Sequence, residues 1–390
     1  MSIADREKCI HSANCGGCAY QGKTYEEQLA VKEQFVRDCL ASQGLSDGIM
    51  RPIVGCGSIY DYRNRMDYSF GNETKDGDTT LGLHKRNSFM SVFSVDHCQI
   101  VPGDFNRIVS ATIGFCRERG YTHHNIKQHS GLLRSLVLRW GTRTGQLLVN
   151  IVTTSESVFD CESYRDLILG LPLENSVAGI LRTINDGRAD ALSCDRLDIL
   201  YGEPFYIDEV LGLKFKVGAF SFFQTNVEAA ERLYRDALSL IPDIEGKTVY
   251  DLYCGTGTIT QAMALKARKA IGVEIVQNAV DSARANAALN GLDNCEFICG
   301  DVQEVLASIS EKPDVIVVDP PRMGMTPKAL KQVFSYGVPQ VLYISCNPKT
   351  MAENLRSAAF YGYRTDVLTP YDNFPFTKHV ESVCCLYRQK

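Results

Sequence analysis

No run of about 18 uninterrupted apolar residues occurs in the 390-residue chain, which excludes a membrane-spanning helix. Its first residues, MSIADREKCI, have no apolar core and carry no mark for secretion. An excess of positive charge is missing too. The 41 Lys and Arg stand against 46 Asp and Glu, a net charge of −5, which excludes a uniformly basic nucleic-acid binder. Any RNA or DNA contact is therefore expected from a local basic surface. Internal repeats and low-complexity linkers are also lacking. What the chain does have is cysteine, 15 of them. In a cytoplasmic protein kept in a reducing compartment, these are core residues, nucleophiles or metal ligands rather than disulfides. Three of them, Cys9, Cys15 and Cys18 in KCIHSANCGGCAY, are close enough to form most of a metal site.

The pattern of elements changes once along the chain. Residues 23–42 read as a helix with Tyr25, Leu29, Val36 and Leu40 on one stripe. Short alternating segments follow from about 50 to 102, then a helix near 104–119. A hairpin comes next in LLRSLVLRWGTRTGQLLVNIVT, and more short strands continue to LGLKFKVG near 218. From there, apolar strands alternate with helices: TVYDLY, KAIGVEI, CEFICG, DVIVVD and VLYIS are strands, with helical patterns following the first, second, fourth and fifth. YRTDVL and ESVCCLY are expected as two last strands. The expected fold is α/β: a C-terminal Rossmann-like sheet covered on both faces (218–390), preceded by a mixed, β-rich region (1–217). The 23–42 helix is a candidate to pack on the C-terminal domain. Ligands of such sheets sit at the carboxyl ends of the strands, near the switch point.

The residues at those ends are acidic. VYDLYCGTGTIT ends a strand with Asp251 and turns through Gly255 and Gly257 into a helix whose N–H groups are free for a ligand. Glu274 ends the next strand, placed to accept both hydroxyls of a ribose. Asp301 follows the third strand, placed to meet an adenine edge. A dinucleotide site shares the ribose carboxylate but wants G-x-G-x-x-G, and the third position here is Thr260. The D-x-x-C-G-x-G turn, the later acids and Asp319 in DPPR favour S-adenosylmethionine.

The next two strand ends carry the reactive groups. VLYISCNP places Cys346 after the fifth strand, and FPFTKHVESV places His379 and Glu381 at the start of the last. A thiol beside a methyl donor suits one reaction above others. C5 of uracil is a poor nucleophile until a thiolate adds to C6, and a base must then remove the C5 proton. One Cys and one carboxylate suffice. Cys254, Cys299, Cys384 and Cys385 read as buried small hydrophobes.

FSFFQTN, DLYCGTG, DPPRMGM, YISCNP and FPFTKHVE occur in an order that resembles the RNA uracil-5 methyltransferases, which make 5-methyluridine in ribosomal and transfer RNA. The resemblance implies Cys346 as nucleophile and Glu381 as general base. It implies S-adenosylmethionine contacts from Gln224, Tyr253, Thr258, Glu274, Asp301 and Asp319, with Thr258 standing where some members carry Asn. Gln224 is open to a second role, pairing with the edge of a flipped uracil. YRNRMDYSF, GLHKRNSF and LLRSLVLRWGTRTGQ resemble the family's central region, which makes Arg63, Arg65, Lys85, Arg86, Arg134, Arg139 and Arg143 candidate phosphate contacts. The small β-barrel with which many members begin has no counterpart before the cysteines.

For the thiols, spacing alone leaves zinc and iron open. No second C-x2-C follows, and Cys98 in SVDHCQI is the best fourth ligand, with His11 and His97 as spare alternatives. The family carries a cysteine after such a DHC, and the resemblance implies a [4Fe–4S] cluster on Cys9, Cys15, Cys18 and Cys98. It also implies 23S ribosomal RNA as substrate ahead of transfer RNA. Two further readings compete. A radical S-adenosylmethionine enzyme would want C-x3-C-x2-C and a barrel. A zinc-containing RNA-binding protein with an inactive methyltransferase domain would be expected to have lost Cys346 or Glu381.

Overall fold

Helix α1 (Tyr25–Ser42) starts on a capping box: the Thr24 hydroxyl accepts from Glu27 N–H, and the Glu27 carboxylate accepts from Thr24 N–H. Its buried face is Gln28, Lys32, Val36, Cys39 and Leu40. That face is rotated from the expected apolar stripe, because two polar side chains find partners in the interior. The computed structural model describes residues 6–88, 90–187, 194–309 and 311–389. Two compact units emerge, Met1–Gly22 with Ser58–Glu209 and Lys216–Phe220, and Lys23–Gly57 with Val210–Phe215 and Ser221–Lys390. A single cut at 217/218 would separate α1 from the unit in which it packs; it lies against a helix near the C-terminus of the chain.

The first unit is built on a seven-stranded sheet. Its elements are β1 (Arg65–Asn72), β2 (Thr79–His84), β3 (Val92–Ser94), α2 (Gly103–Glu118), β4 (Leu133–Trp140), β5 (Gln146–Thr153), α3 (Cys161–Leu169), β6 (Ser176–Ile184) and β7 (Arg196–Gly202). The order is β3-β2-β1-β4-β5-β6-β7, antiparallel except for β5 and β6, which α3 joins as a crossover. The expected hairpin is β4–β5, with Leu133 opposite Thr153 and Trp140 opposite Leu147. Strands β8 (Phe205–Val210) and β9 (Leu213–Gly218) form a separate pair.

The second unit alternates helix and strand. Its elements are α4 (Val227–Ser239), β10 (Thr248–Leu252), α5 (Thr258–Ala264), β11 (Lys269–Glu274), α6 (Gln277–Leu289), β12 (Cys295–Cys299), α7 (Val302–Ser308) and β13 (Val315–Val318). They continue with α8 (Pro327–Ser335), β14 (Gln340–Ser345), α9 (Pro348–Ala359), β15 (Tyr363–Tyr371) and β16 (Glu381–Arg388). The sheet order is β12-β11-β10-β13-β14-β16-β15, parallel through β14, with β16 antiparallel to both of its neighbours. Every residue of β10, β13 and β14 is buried, as expected of strands covered on both faces. The chain reverses direction between β11 and β13 across β10, so the switch point opens at the carboxyl ends of β10 and β13. Among the described residues no helix is long and apolar enough to cross a membrane.

Candidate active site

The turn after β10 is shaped for close approach. Gly255 and Gly257 both have positive φ, and a Cβ on Gly257 would stand 2.6 Å from the Phe297 ring and 3.0 Å from Ala283. Tyr253 adopts the same left-handed region at φ 71°, a strained choice for an aromatic residue. The Asp251 carboxylate is held underneath: its Oδ2 accepts from the Thr260 hydroxyl at 2.6 Å, while Oδ1 is buried with no partner among the described residues. Burial pushes this carboxyl up to about 7. Thr258 is the first residue of α5 and is buried.

The other expected cofactor residues line the same rim. Glu274 ends β11, and its two oxygens accept from Gly255 N–H at 3.1 Å and Val276 N–H at 3.0 Å, so the carboxylate is oriented before any ribose arrives. Beside it, Ile275 and Val276 leave apolar side chains largely exposed. Asp301 caps α7, accepting from Gln303 N–H at 2.8 Å; burial raises the Tyr253 phenol, and the nearby Asp301 charge adds to the rise. Asp319 follows β13, where burial pushes its carboxyl up to about 7. Gln224 hydrogen-bonds Tyr234, a fully enclosed phenol set among Asp319, Asp251 and Glu381. A ring of carboxylates around a glycine turn, one with a spare buried oxygen, fits a ligand carrying a sulfonium and an ammonium group.

Register brings the reactive pair together. Strands β14 and β16 end their pairing at Ser345 and Ser382, which leaves Cys346 and Glu381 as the next residue on each side, near enough for the Glu381 charge to act on the thiol. Local sequence fixes the thiol's position: Ser345 Oγ accepts from Asn347 N–H, Asn347 caps α9, and Pro348 fills its first turn. The Asn347 amide also donates to Arg322 O at 2.9 Å, tying the DPPR turn to the cysteine turn. Glu381 opens β16 and is half-buried. Burial, with Asp319 beside it, pushes its carboxyl up to about 8, against a downward pull from Arg322. Burial raises the Cys346 thiol, with Glu381 and Asp319 adding to the rise and Arg322 opposing it by charge and by a hydrogen bond. The Arg322 guanidinium also meets His379 Nδ1 at 2.5 Å. Sequence reading assigned no role to Arg322 or Tyr234. The fixed offset of Arg322 from Asp319 was the one available signal, and nothing in the sequence marks Tyr234.

The four predicted metal ligands also share one locality, in the first unit. Burial, then Cys98, Cys15 and Cys9, push the Cys18 thiol up to about 12, and Cys98 rises to about 11 through burial, Cys15 and Cys9. None of the four is in a disulfide. The loop is pinned by Arg86, which donates to Cys15 O at 3.0 Å and, through its backbone, to Asn14 O at 2.7 Å. Among the described residues, however, no three or more Cys, His, Asp or Glu side chains form a ready-made metal cage. The donor chemistry fits a soft metal; a closed coordination geometry is not preformed. His11 is committed to Asp96 at 3.1 Å.

Several expected phosphate contacts are otherwise engaged. Arg139 is 1% exposed and donates to Ala219 O, so it supports the fold and cannot meet a phosphate. Arg134 donates to Asn185 O and Gly187 O, Arg63 to Arg65 O, and Arg65 to Asp67. Lys85 pairs with Glu73, Arg86 serves the cysteine loop, and the backbone N–H of Arg143 donates to Asp208. Of these candidate phosphate contacts, Arg63, Arg86, Arg134 and Arg139 use their guanidinium groups to hold backbone carbonyls in place.

The doubly wound sheet with β16 inserted antiparallel, and acids around a glycine turn at its switch point, define an S-adenosylmethionine-dependent methyltransferase of the Rossmann-like class. Residues 206–389 match the family described as tRNA (Uracil-5-)-methyltransferase. An RNA methyltransferase of Clostridium tetani is 44% identical over 98% of this chain and 84% of its own, and one of Chlorobaculum tepidum is 34% identical over 97% and 82%. The crystal structure of Pyrococcus abyssi tRNA (uracil-54, C5)-methyltransferase with S-adenosyl-L-homocysteine matches with a TM-score of 0.77 at 27% identity, covering 98% of this chain and 87% of that one. The chain belongs to the RNA uracil-5 methyltransferase family and is an S-adenosylmethionine-dependent RNA methyltransferase.

Proposed function

We propose that this enzyme methylates C5 of a uridine in 23S ribosomal RNA in the cytoplasm, through a covalent bond between Cys346 and C6 of the base. The observation that carries the chemistry is that the Cys346 thiol lies within the electrostatic reach of the Glu381 carboxyl, each one step beyond the last β14–β16 pair, Ser345 with Ser382. S-adenosylmethionine, held by Gln224, Tyr253, Thr258, Glu274, Asp301 and Asp319, supplies the methyl group. The Cys346 thiolate adds to C6, and the electrons of the C5–C6 double bond move toward O4, making C5 nucleophilic. After methylation C5 carries both methyl and hydrogen. Glu381 takes that proton, the C–H electrons rebuild the double bond, and Cys346 leaves as thiolate. Arg322, bonded to the thiol, favours both thiolate states.

Two variants test this. Cys346→Ala is expected to abolish methylation while S-adenosylmethionine still binds by calorimetry; normal turnover would remove Cys346 as nucleophile. Glu381→Gln is expected to slow turnover about 10²–10⁴-fold and to accumulate an enzyme–RNA adduct stable in denaturant. Normal turnover there would mean another base.

Cys9, Cys15, Cys18 and Cys98 are proposed to hold a [4Fe–4S] cluster as a structural clasp; methyl transfer as written needs no electron from it. Anaerobic protein should contain about four irons per chain with broad visible absorption, and colourless protein with stoichiometric zinc would overturn this. The similarity to a tRNA (uracil-54, C5)-methyltransferase favours transfer RNA as the second reading. Mapping 5-methyluridine in both RNAs with and without the gene decides between them.

A further inference from the structure

Glu381 is the first residue of β16 and pairs with Tyr371, the last of β15, so residues 372–380 (DNFPFTKHV) form the hairpin connection that ends on the base. A connection of this length has many conformations available, and its backbone polar groups need partners. Several come from elsewhere in the unit, two of them from α1 side chains. Lys32 Nζ donates to Asp372 Oδ1 at 2.5 Å and to Phe374 O at 3.0 Å, with both charged side chains fully buried. Gln28 Oε1 accepts from Phe376 N–H at 2.7 Å, while its amide donates to Lys23 O at 3.2 Å. Phe376 is held at φ 66°, where a bulky residue stays only under constraint. Asp372 N–H donates to Val54 O, and the Asn226 amide donates to Asn373 O at 2.8 Å. The loop then closes locally, through Thr377, onto His379, which meets Arg322.

A buried lysine and a buried glutamine are costly to place on a helix unless each is fully used. Here both are aimed at the one loop that sets the entry of β16. We propose that Gln28 and Lys32 are positioning residues for Glu381: through the backbone of residues 372–376 they fix where the carboxylate stands relative to C5 of the bound uracil. The step they serve is the last one, in which Glu381 receives the C5 proton, the double bond re-forms and the Cys346–C6 bond breaks. Neither residue touches the reacting atoms. The inference rests on the assignment of Glu381 as base.

The test uses the full-length enzyme with its RNA substrate. Gln28→Met keeps the volume and removes the acceptor from Phe376 N–H; Gln28→Glu restores the acceptor. Glu381→Gln runs alongside. We expect Gln28→Met to lower kcat about 10- to 100-fold, as a small misplacement of a catalytic group does, with KM for RNA and for S-adenosylmethionine within about twofold. Denaturant-stable enzyme–RNA adduct should build up during turnover, and Gln28→Glu should recover most of the rate without it. Lys32→Met/Asp372→Asn, which leaves no buried charge behind, should show the same adduct. A merely structural role would lower the melting temperature and active fraction without accumulating adduct, and that result overturns the proposal. So does wild-type kcat in Gln28→Met. If Glu381→Gln itself gives no adduct and turns over normally, the assignment of the base has failed instead.

Discussion

At the scale of single residues, the site is a problem of too much acid. Asp251, Asp319 and Glu381 surround the Tyr234 phenol, and each carboxyl is pushed up, to about 7, 7 and 8. The Cys346 thiol beside them is raised as well. Arg322 is the cation that opposes this, through its bond to Cys346 and its charge on Glu381. Arg322→Gln keeps some hydrogen bonding and loses the charge. As proposed nucleophile and base, Cys346 and Glu381 act in their ionised forms, and the thiol is raised above its ordinary range, so kcat/KM should still be rising through pH 8 and 9 in the parent. In Arg322→Gln that rising limb should move to higher pH, with a loss of about tenfold or more at pH 7.5. A pH–rate profile unchanged in position would show that the guanidinium serves only to hold His379 and the turn.

Elements tell a different story, because α1 lies early in the sequence and packs in the C-terminal unit. Its Lys32–Asp372 pair is fully buried. Lys32→Met alone leaves the Asp372 carboxylate without its partner and should cost about 3–5 kcal/mol of stability, measured by urea unfolding; the double variant Lys32→Met/Asp372→Asn should recover much of it. Equal losses in both would mean that the lysine contributes packing rather than charge pairing. The same helix marks the limit of sequence reading. Its existence and approximate span were legible from the periodicity of Tyr25, Leu29, Val36 and Leu40. Its inward face was not, since an apolar stripe is the only face periodicity can detect, and Gln28 and Lys32 look solvent-facing until residues 372–376 are folded over them. Strands such as β13 and β14 were plain for the opposite reason: with both faces covered, β13 is continuous Val and Ile, and the middle of β14 is the apolar run VLYI. Helices α3, α4 and α7 went unassigned; α7 has only seven residues and α3 nine. In the active site, Cys346, Glu381 and the acids at strand ends were legible because they lie at motif punctuation. Tyr234 sits on an ordinary amphipathic helix, where nothing distinguishes it.

For the whole molecule, those raised carboxyls link folding to pH. Asp208, in the first unit, is pushed up to about 6 by burial; Asp251 and Asp319 reach about 7, and Glu381 about 8. In the unfolded chain all four ionise near pH 4. Between these limits the native protein holds protons that the unfolded chain has released, so stability falls as pH rises. Their contribution is fully present below about pH 4, where both states are protonated, and is lost progressively as pH passes through 6, 7 and 8. We therefore expect a melting temperature higher at pH 5.5 than at pH 8.5 by several degrees, measured under a reducing, anaerobic atmosphere. The active-site acids make a further demand. A cationic donor is bound best when the carboxylates around it are ionised, so S-adenosylmethionine should raise the melting temperature more at pH 8.5 than at pH 5.5, and the neutral thioether S-adenosylhomocysteine should show a smaller difference. A stability flat across this range, with donor and product shifting it equally at both ends, would mean that water reaches these carboxyls and that the acidic floor is not the device that gathers charge at the thiol.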